Sequence, residues 1–235
     1  MQSQALFDSL FPEGHEIHRT GALIAGSGRL GGREVALIGT LEAAPIGVEL
    51  AHRLAGEVLK VMRQRPGCPI LLLVDTQGQR LGRRDELLGL NGYLAHLAKC
   101  LEVARLRGHP VIALVHTQAV SGGFLSTGLV ADACYALPQA EIRVMNLPAM
   151  ARVTKIPLER LKCLSETSPV FAPGAENYLR MGAIEALWEG DLAVALRDAL
   201  EPEAPVDRRR TLGEERGGRR LARQVAERVR RDASR

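Results

Sequence analysis

The sequence predicts an α/β fold in which helices cover a mostly parallel sheet. Two segments, residues 70–75 and 111–116, are apolar up to their last residue, as strands buried on both faces of a parallel sheet are. Between them, residues 85–107 repeat Leu or Ala three and four positions apart, which is the spacing of one helix face. This order of strand, turn and helix recurs through the middle of the chain and is typical of layered α/β domains.

The N-terminal part is predicted to begin with an irregular arm, residues 1–20, that contains one short helix near residues 6–10. Within the glycine-rich residues 21–32, residues 26–31 match the pattern G-x-G-x-x-G, but a strand-like segment at 33–42 follows. A dinucleotide site requires a helix directly after the glycines, because the helix N-terminus binds the pyrophosphate. We therefore expect a turned connection at 21–32, with nucleotide binding as the weaker alternative. A helix is predicted next, over residues 48–62.

The C-terminal half is predicted to continue with a turn at residues 117–123, which leads from the second buried strand into a helix near 122–130. The apolar residues at 131–137 indicate one more strand. Beyond Pro138 the spacing of apolar residues indicates mostly helices, and the predicted segments are 158–165, 175–181 and 192–200.

Residues 201–235 differ in composition from the rest of the chain. They hold eleven arginines and seven acidic residues, a net charge of +4, which equals the formal net charge of the whole protein. Residues 1–200 are therefore neutral overall, and the sequence predicts an arm at 1–20, a domain over residues 21–200 and a charged C-terminal tail. In the tail, 201–212 is expected to be a linker and 213–231 an exposed or partner-bound helix that adds little to the core.

Composition narrows the classes of protein to which this chain can belong. The hydrophobic fraction of 46% is ordinary for a globular domain. No apolar run approaches the ~20 residues of a membrane helix, and no signal peptide is evident, so we expect a cytoplasmic protein. An aromatic content of 3% leaves little to stack on bases, which argues against nucleic acid. The four cysteines are widely spaced, so no metal site is predicted.

Two glycine-containing turns follow the two buried strands and form the candidate functional site. The first turn holds Thr76, Gln77, Gly78 and Gln79, and the second holds Ser121, Gly122, Gly123 and Phe124. Glycine at a junction between strand and helix lets backbone N–H groups point into a cleft. Two such turns on neighbouring strands could direct two N–H donors at one oxygen atom, as an oxyanion hole does. Close packing of a strand against a helix is the alternative, because it also requires glycine.

A serine nucleophile is a weaker hypothesis. Ser121 matches only half of the G-x-S-x-G elbow, because residue 119 is alanine. His116 could serve as its base, although a histidine at a strand end is more often a structural residue at the edge of the core. Asp75 ends the first strand where ligands bind in α/β sheets, but turn-forming aspartates are equally common there. Lys155 could meet a carboxylate or a phosphate, and otherwise is a solvated lysine.

The chain resembles the carboxyltransferase branch of the crotonase superfamily over residues 21–188. The segments that carry the resemblance are LLLVDTQGQ (71–79), LNGYLAHLAKCLEVARLRGHPVIALV (90–115), AVSGGFLSTGLVAD (119–132) and RMGAIEALW (180–188). Two more segments, VMNLPAMARVTKIPLERL (144–161) and SPVFAPGAENYLRMGA (168–183), are similar to the gamma subunits of biotin-independent malonate decarboxylases in particular.

The resemblance implies a crotonase-like (ClpP/crotonase) fold and a decarboxylation. A malonyl thioester, held on the phosphopantetheine-type, dephospho-CoA-derived arm of an acyl carrier subunit, loses CO₂ and becomes an acetyl thioester. A beta subunit of similar fold pairs with a chain of this kind, and an alpha subunit transfers the acyl carrier between acetate and malonate. This chain itself is expected to bind no biotin, metal or nicotinamide.

The resemblance also assigns roles to the two turns. Backbone N–H groups at Gly78, Gln79, Gly122 and Gly123 are the predicted catalytic donors to the enolate oxygen or to the departing carboxylate. Thr76, Gln77, Ser121 and Phe124 are the predicted substrate-binding residues.

Two alternative functions remain open on the sequence. The chain could be a carboxyltransferase subunit of a biotin-dependent carboxylase, although the segments within 144–183 favour the decarboxylase. It could also be a scaffold without catalytic groups, since an apolar helix face and an arginine-rich tail suit a protein that holds partner subunits together.

Overall fold

A sheet of seven strands forms the centre of the computed structural model, which describes residues 3–167, 172–201 and 207–234. The strands are β1 His15–Thr20, β2 Leu23–Leu30, β3 Arg33–Thr40, β5 Ile70–Thr76, β7 Val111–Val120, β8 Ala133–Ala136 and β9 Glu141–Arg143. A separate two-stranded sheet pairs β4 Pro45–Ile46 with β6 Gly78–Gln79. The helices are α1 Ser3–Leu10, α2 Val48–Gln64, α3 Arg83–Leu87, α4 Leu90–Leu106, α5 Ser121–Thr127, α6 Leu147–Thr154, α7 Leu158–Thr167, α8 Ala175–Arg180, α9 Leu192–Leu200, α10 Arg209–Glu215 and α11 Ala222–Ala233.

The predicted parallel sheet is confirmed. Strands β3, β5, β7 and β8 lie side by side and are parallel, so Leu71 of β5 has Leu37 of β3 on one side and Ile112 of β7 on the other. Strands β1 and β2 extend the sheet from β3 in antiparallel hairpins. The sheet therefore places the carboxyl ends of β5 and β7, from which both glycine turns leave, next to each other.

The two faces of the sheet bury different clusters of apolar side chains. Leu72 and Val74 of β5 pack with α2 and α4, whereas Leu71 and Leu73 face α1, α9 and Trp188. All the residues of β5 are buried, because helices cover the strand on both faces.

The prediction of an irregular arm and a turned glycine connection near the N-terminus is wrong. Residues 15–20 form β1, and most of the glycine-rich segment forms β2. A Cβ atom on Gly26 would lie 2.0 Å from the carbonyl oxygen of Glu16, and one on Gly28 would lie 2.1 Å from Cγ of Phe11. These glycines therefore allow close packing within and upon a strand, a requirement that the sequence pattern alone does not distinguish from a turn.

The predicted long helix at residues 85–107 is two helices. Gly89 precedes α4 with a left-handed backbone, φ 76°, and separates it from the short helix α3. A glycine adopts this conformation without the steric cost that a side chain brings, so the apolar spacing continues across a break in the helix.

The predicted turn at residues 117–123 is also revised. Strand β7 continues through Val120, because β9 pairs in parallel with its last three residues, 118–120. Helix α5 then begins directly at Ser121. The strand β9 and the helix α6 were not predicted individually, whereas the structure confirms the helices α2, α8 and α9 and the strand β8 within a few residues.

The C-terminal tail adds to the folded body more than its composition indicates. The predicted helix at 213–231 is two helices, α10 and α11, and part of the predicted linker, residues 202–206, lies outside the described residues. Leu212 of α10 is buried. The Arg216 guanidinium donates hydrogen bonds to the carbonyl oxygens of Leu179 at 2.9 Å, Ile184 at 3.0 Å and Glu185 at 2.8 Å. Helix α10 is therefore anchored to the body, while no residue of α11 is buried.

None of the helices in the described ranges has both the length and the apolar character that would let it cross a lipid bilayer.

Candidate functional site

The two glycine turns touch each other at the carboxyl ends of β5 and β7. Glycine is required at the contact, because a Cβ atom on Gly123 would lie 2.9 Å from Cα and from the carbonyl carbon of Gly78, and 2.9 Å from Oγ1 of Thr76. Gly78 itself has φ 104°, a conformation that side chains rarely adopt. The expectation that neighbouring strands bring the two turns together is confirmed.

Thr76 fixes the first turn from within. Its hydroxyl is fully buried, donates a hydrogen bond of 2.7 Å to the carbonyl oxygen of Ala44, and accepts one of 3.0 Å from the N–H of Gly78. The structure therefore places Thr76 as a support of the turn, and it gives the Gly78 amide an acceptor inside the protein.

The side chain of Gln79 joins the two turns. Its Oε1 atom accepts a hydrogen bond of 3.1 Å from the N–H of Gly122. Of the four predicted donors, Gly78 and Gly122 thus already have partners within the chain.

The amides of Gln79 and Gly123 are the two remaining donors. In β6 the N–H of Arg80 donates to the carbonyl oxygen of Ile46 at 2.9 Å, so the N–H of Gln79, one residue earlier, faces away from β4. Gly123 lies in the first turn of α5, where N–H groups lack an acceptor four residues earlier in the helix. No side chain of the described residues accepts a hydrogen bond from either amide. These two N–H groups are the arrangement's best candidates for an oxyanion hole.

Two predicted substrate-binding residues occupy different environments. Gln77 is exposed, and its N–H donates to the carbonyl oxygen of Ala43 at 3.3 Å. Phe124 is buried, and its ring packs edge-on against Tyr178 with the centroids 6.1 Å apart. The Phe124 side chain therefore belongs to the core beneath the site, while Gln77 lies at its rim.

Ser121 stands at the junction between β7 and α5 with a left-handed backbone, φ 49°. A nucleophile elbow also places its serine on a strained strand-to-helix turn. Nevertheless, no residue in the described ranges forms a hydrogen bond with the Ser121 hydroxyl. The structure gives this serine no base.

His116 is engaged elsewhere. Its Nδ1 lies 3.0 Å from the Thr117 hydroxyl, and its Nε2 lies 4.0 Å from Oδ2 of Asp75. Burial lowers the pKa of the imidazole below its usual value of 6.5, and the Asp75 carboxylate offsets part of this shift. The lowered pKa favours the neutral imidazole, which lies beside a buried carboxylate.

The sequence did not point to residues 41–46, which support the site from below. Strand β4 within this segment pairs with β6 and so carries Gly78 and Gln79. Two residues of the segment that precede β4, Glu42 and Ala43, have left-handed backbones, with φ 61° and 51°. Neither residue type favours that conformation, so no local sequence signal could have revealed it. Lys155, by contrast, caps the C-terminus of the exposed helix α6.

The family model described as "Malonate decarboxylase gamma subunit" matches residues 42–233. This chain belongs to the malonate decarboxylase gamma subunit family. The match covers both turns, the supporting strand β4 and the two tail helices.

Curated relatives of this gamma subunit family member include two carboxyltransferases. The chain is 36% identical over 199 residues to the malonyl-S-ACP:biotin-protein carboxyltransferase MADD of Malonomonas rubra, covering 75% of this chain and 68% of that protein. It is 32% identical over 192 residues to the acetyl-coenzyme A carboxylase carboxyl transferase subunits beta/alpha of Parafrankia sp. (strain EAN1pec), of which it spans 28%.

Solved structures of malonate decarboxylases are similar to this chain, in agreement with the family match. A Pseudomonas malonate decarboxylase hetero-tetramer in complex with coenzyme A contains a chain with TM-score 0.81 and 25% identity, covering 97% of this chain and 98% of that one. The Pseudomonas MdcD-MdcE hetero-dimer gives TM-score 0.74 and 27% identity, covering 94% and 98%. The transcarboxylase 12S core, at 20% identity and TM-score 0.68, shares the fold. The predicted crotonase-like fold is thereby confirmed, and the chain is a carboxyltransferase-type subunit of the malonate decarboxylase family.

Proposed function

We propose that this chain is a carboxy-lyase subunit that helps to decarboxylate a malonyl thioester by stabilising the enolate. The observation that carries the proposal is the contact between the two turns, which brings the unpartnered amides of Gln79 and Gly123 to one edge of the sheet. The wider assignment of Gly78 and Gly122 as donors is less well supported, because both amides have internal acceptors.

The chemistry suits fixed backbone donors. When the bond between the α-carbon and the carboxylate breaks, CO₂ leaves and its electron pair forms an enolate whose negative charge develops on the thioester oxygen. Amide N–H groups stabilise that charge without changing protonation state. The carboxylate must stand out of the plane of the thioester, so that the breaking bond aligns with the carbonyl π system. A proton taken up at the α-carbon completes the acetyl thioester.

We further propose that the substrate arrives on a carrier and that the site is complete only with a partner. In support, the curated relative is named for malonyl-S-ACP, and the similar chains come from hetero-oligomers. On this proposal a beta subunit of similar fold pairs with the chain, and an acyl carrier subunit presents the thioester on its phosphopantetheine-type arm. An alpha subunit transfers the carrier, and no cofactor is bound by this chain.

Co-expression tests the proposal directly. The chain alone, a malonate decarboxylase beta subunit alone, and the pair are each assayed for CO₂ release from malonyl carrier protein. We expect turnover by the pair and none by the isolated chain, because a single chain supplies only part of the site. Robust turnover by the chain alone would contradict the dependence on a partner, and an inactive, assembled pair would contradict the decarboxylase.

A carboxyltransferase is the second candidate, because the relative at 36% identity is named for transfer to biotin-protein. Avidin discriminates between the two. A decarboxylase is expected to keep its full rate in excess avidin, whereas transfer to a biotinyl acceptor stops. If added biotin-protein raises the rate and avidin abolishes it, the carboxyltransferase explains this site better.

A scaffold without catalytic groups is tested by Gly123→Pro, which removes one N–H donor. Loss of a single oxyanion-hole donor typically lowers turnover by about 10²–10³-fold. Substrate affinity should change less, because the charge develops mainly in the transition state. An assembled Gly123→Pro complex with wild-type turnover would favour the scaffold.

A further inference from the structure

The segment between β3 and α2 holds an unfavourable backbone conformation next to the candidate site. Glu42 and Ala43 are consecutive left-handed residues, and both carry a Cβ atom. Such residues persist only where surrounding contacts fix them, and they cluster at functional sites.

Asp75 supplies the contacts that fix this segment. Oδ2 of its carboxylate accepts a hydrogen bond of 2.9 Å from the N–H of Ala43. Its carbonyl oxygen accepts one of 3.2 Å from the N–H of Ala44 and one of 2.9 Å from the hydroxyl of Thr40. A single residue at the end of β5 therefore holds both ends of the left-handed pair.

The segment in turn holds the first glycine turn. The carbonyl oxygen of Ala44 accepts the Thr76 hydroxyl at 2.7 Å, and that of Ile46 accepts the N–H of Arg80 at 2.9 Å. These hydrogen bonds lie on either side of Gln79 along the chain. The direction of the Gln79 amide thus depends on residues 43–46, and these depend on Asp75.

Asp75 is buried although one of its carboxylate oxygens has no hydrogen-bond partner among the described residues. Asp75 is 3% exposed and lies near the C-terminal end of β5, a strand that is buried along its whole length. Its Oδ1 has no hydrogen-bond partner among the described residues, and neither does Nε2 of His116, which lies 4.0 Å from Oδ2. A buried carboxylate with one oxygen unsatisfied is unfavourable for folding, so such a group calls for another explanation.

We propose that Asp75 is a positioning residue for the oxyanion hole, acting through residues 43–46 to set the direction of the Gln79 N–H group. Its activity readout rests on the proposed decarboxylase function. A second readout, amide hydrogen exchange in the isolated chain, does not.

The test compares Asp75→Ala and Asp75→Asn with Asp132→Ala. Asp132 is the matched control, because its Oδ2 also accepts a backbone N–H, that of Val111 at 2.9 Å, but at the opposite end of β7. In the assembled complex, Asp75→Ala is expected to lower kcat by about 10²-fold with a smaller change in KM, as misplaced catalytic groups do. Asparagine keeps an acceptor for Ala43 and should restore most of the rate. Asp132→Ala should lower the melting temperature without this loss of kcat.

Amide hydrogen exchange tests the positioning role of Asp75 independently of the proposed decarboxylase function. In the isolated chain, the amides of residues 43–46 and 77–80 should exchange at least about ten-fold faster in Asp75→Ala, and faster by a smaller factor in Asp75→Asn. Unchanged exchange in the variants that fold overturns the proposal, and so does a kcat for Asp75→Ala that is near wild type or no lower than that of Asp132→Ala. An inactive wild-type complex with the expected exchange would overturn the decarboxylase and leave the positioning role standing.

Discussion

Gly123, in the first turn of α5, has no room for a side chain. A Cβ atom there would lie 2.9 Å from the backbone of Gly78, which cannot move without moving the first turn. We expect Gly123→Ala to keep the N–H donor yet lower turnover of the assembled complex by about 10²-fold, since small misplacements are costly in active sites.

Gly56 provides the control for this substitution. It is exposed on α2 with no atom within 4 Å of its Cβ position. Gly56→Ala should therefore raise the free energy of unfolding by about 0.5–1 kcal/mol and leave turnover unchanged. Equal turnover in the two alanine variants would contradict the close contact between the turns.

Ser121 is strained but lacks a base. Ser121→Ala is expected to keep substantial activity, whereas removal of a true catalytic serine costs about 10⁶-fold. Ser121→Gly should also remain active and should relieve an unfavourable left-handed backbone, worth about 1–2 kcal/mol in a residue with a Cβ atom. Single-turnover rates of both complexes decide the point, because a fall of several orders of magnitude in each would identify Ser121 as a nucleophile.

His116 should make stability depend on pH. Because its folded pKa lies below 6.5, the unfolded chain takes up the proton first as the pH falls. The contribution of His116 to the free energy of unfolding is thus fully present above about pH 6.5 and is lost as the pH falls towards the folded pKa. We expect the melting temperature to fall less between pH 7.5 and pH 5.5 in His116→Gln than in the wild type. A His116→Gln variant whose melting temperature falls as much as that of the wild type would contradict this dependence.

Among the elements, helix α10 and helix α11 should contribute unequally to stability. Removal of the chain from residue 221 onward deletes a helix with no buried residue, so the melting temperature should stay near that of the wild type. Removal from residue 207 onward also deletes Leu212 and the three hydrogen bonds of Arg216. The melting temperature of that shorter chain should therefore fall by several degrees. Equal melting temperatures for the two truncated chains would show that α10 is not anchored as the structure places it.

Sequence patterns predict some of the helices and strands and miss others. Apolar runs and helical spacing predict β5, β7, α2 and α9, because burial dictates those patterns. They do not predict β2, because its glycines are required by close contacts with the ring of Phe11 and the backbone of Glu16. Those contacts form only when the chain folds back on itself. The same holds at the site. The turns are visible in sequence, but the partners of the Gly78 and Gly122 amides depend on how the turns meet.

At the scale of the whole molecule, the exposed apolar side chains bear on assembly. Leu87 of α3 is 77% exposed and lies shortly after the first turn, whereas Leu106, equally exposed, lies at the far end of α4, next to the start of β7. A partner that completes the site should cover the former. We expect Leu87→Lys to weaken co-purification with the beta subunit and Leu106→Lys to leave it unchanged. The opposite result would place the partner at the other end of the sheet.

The contact between α1 and α9 bears on how the protein is made. The apolar face of α1, with Leu6, Phe7 and Leu10, is buried against residues of α9 near the other end of the domain. During synthesis this face lacks its α9 partner until residues 192–200 have left the ribosome. The packing of the first helix to be translated is therefore completed only near the end of synthesis, and the part of its apolar face that α9 covers stays exposed to other nascent chains until then. A chaperone that holds the N-terminal segment should accordingly raise the yield of folded protein more than one that acts after release.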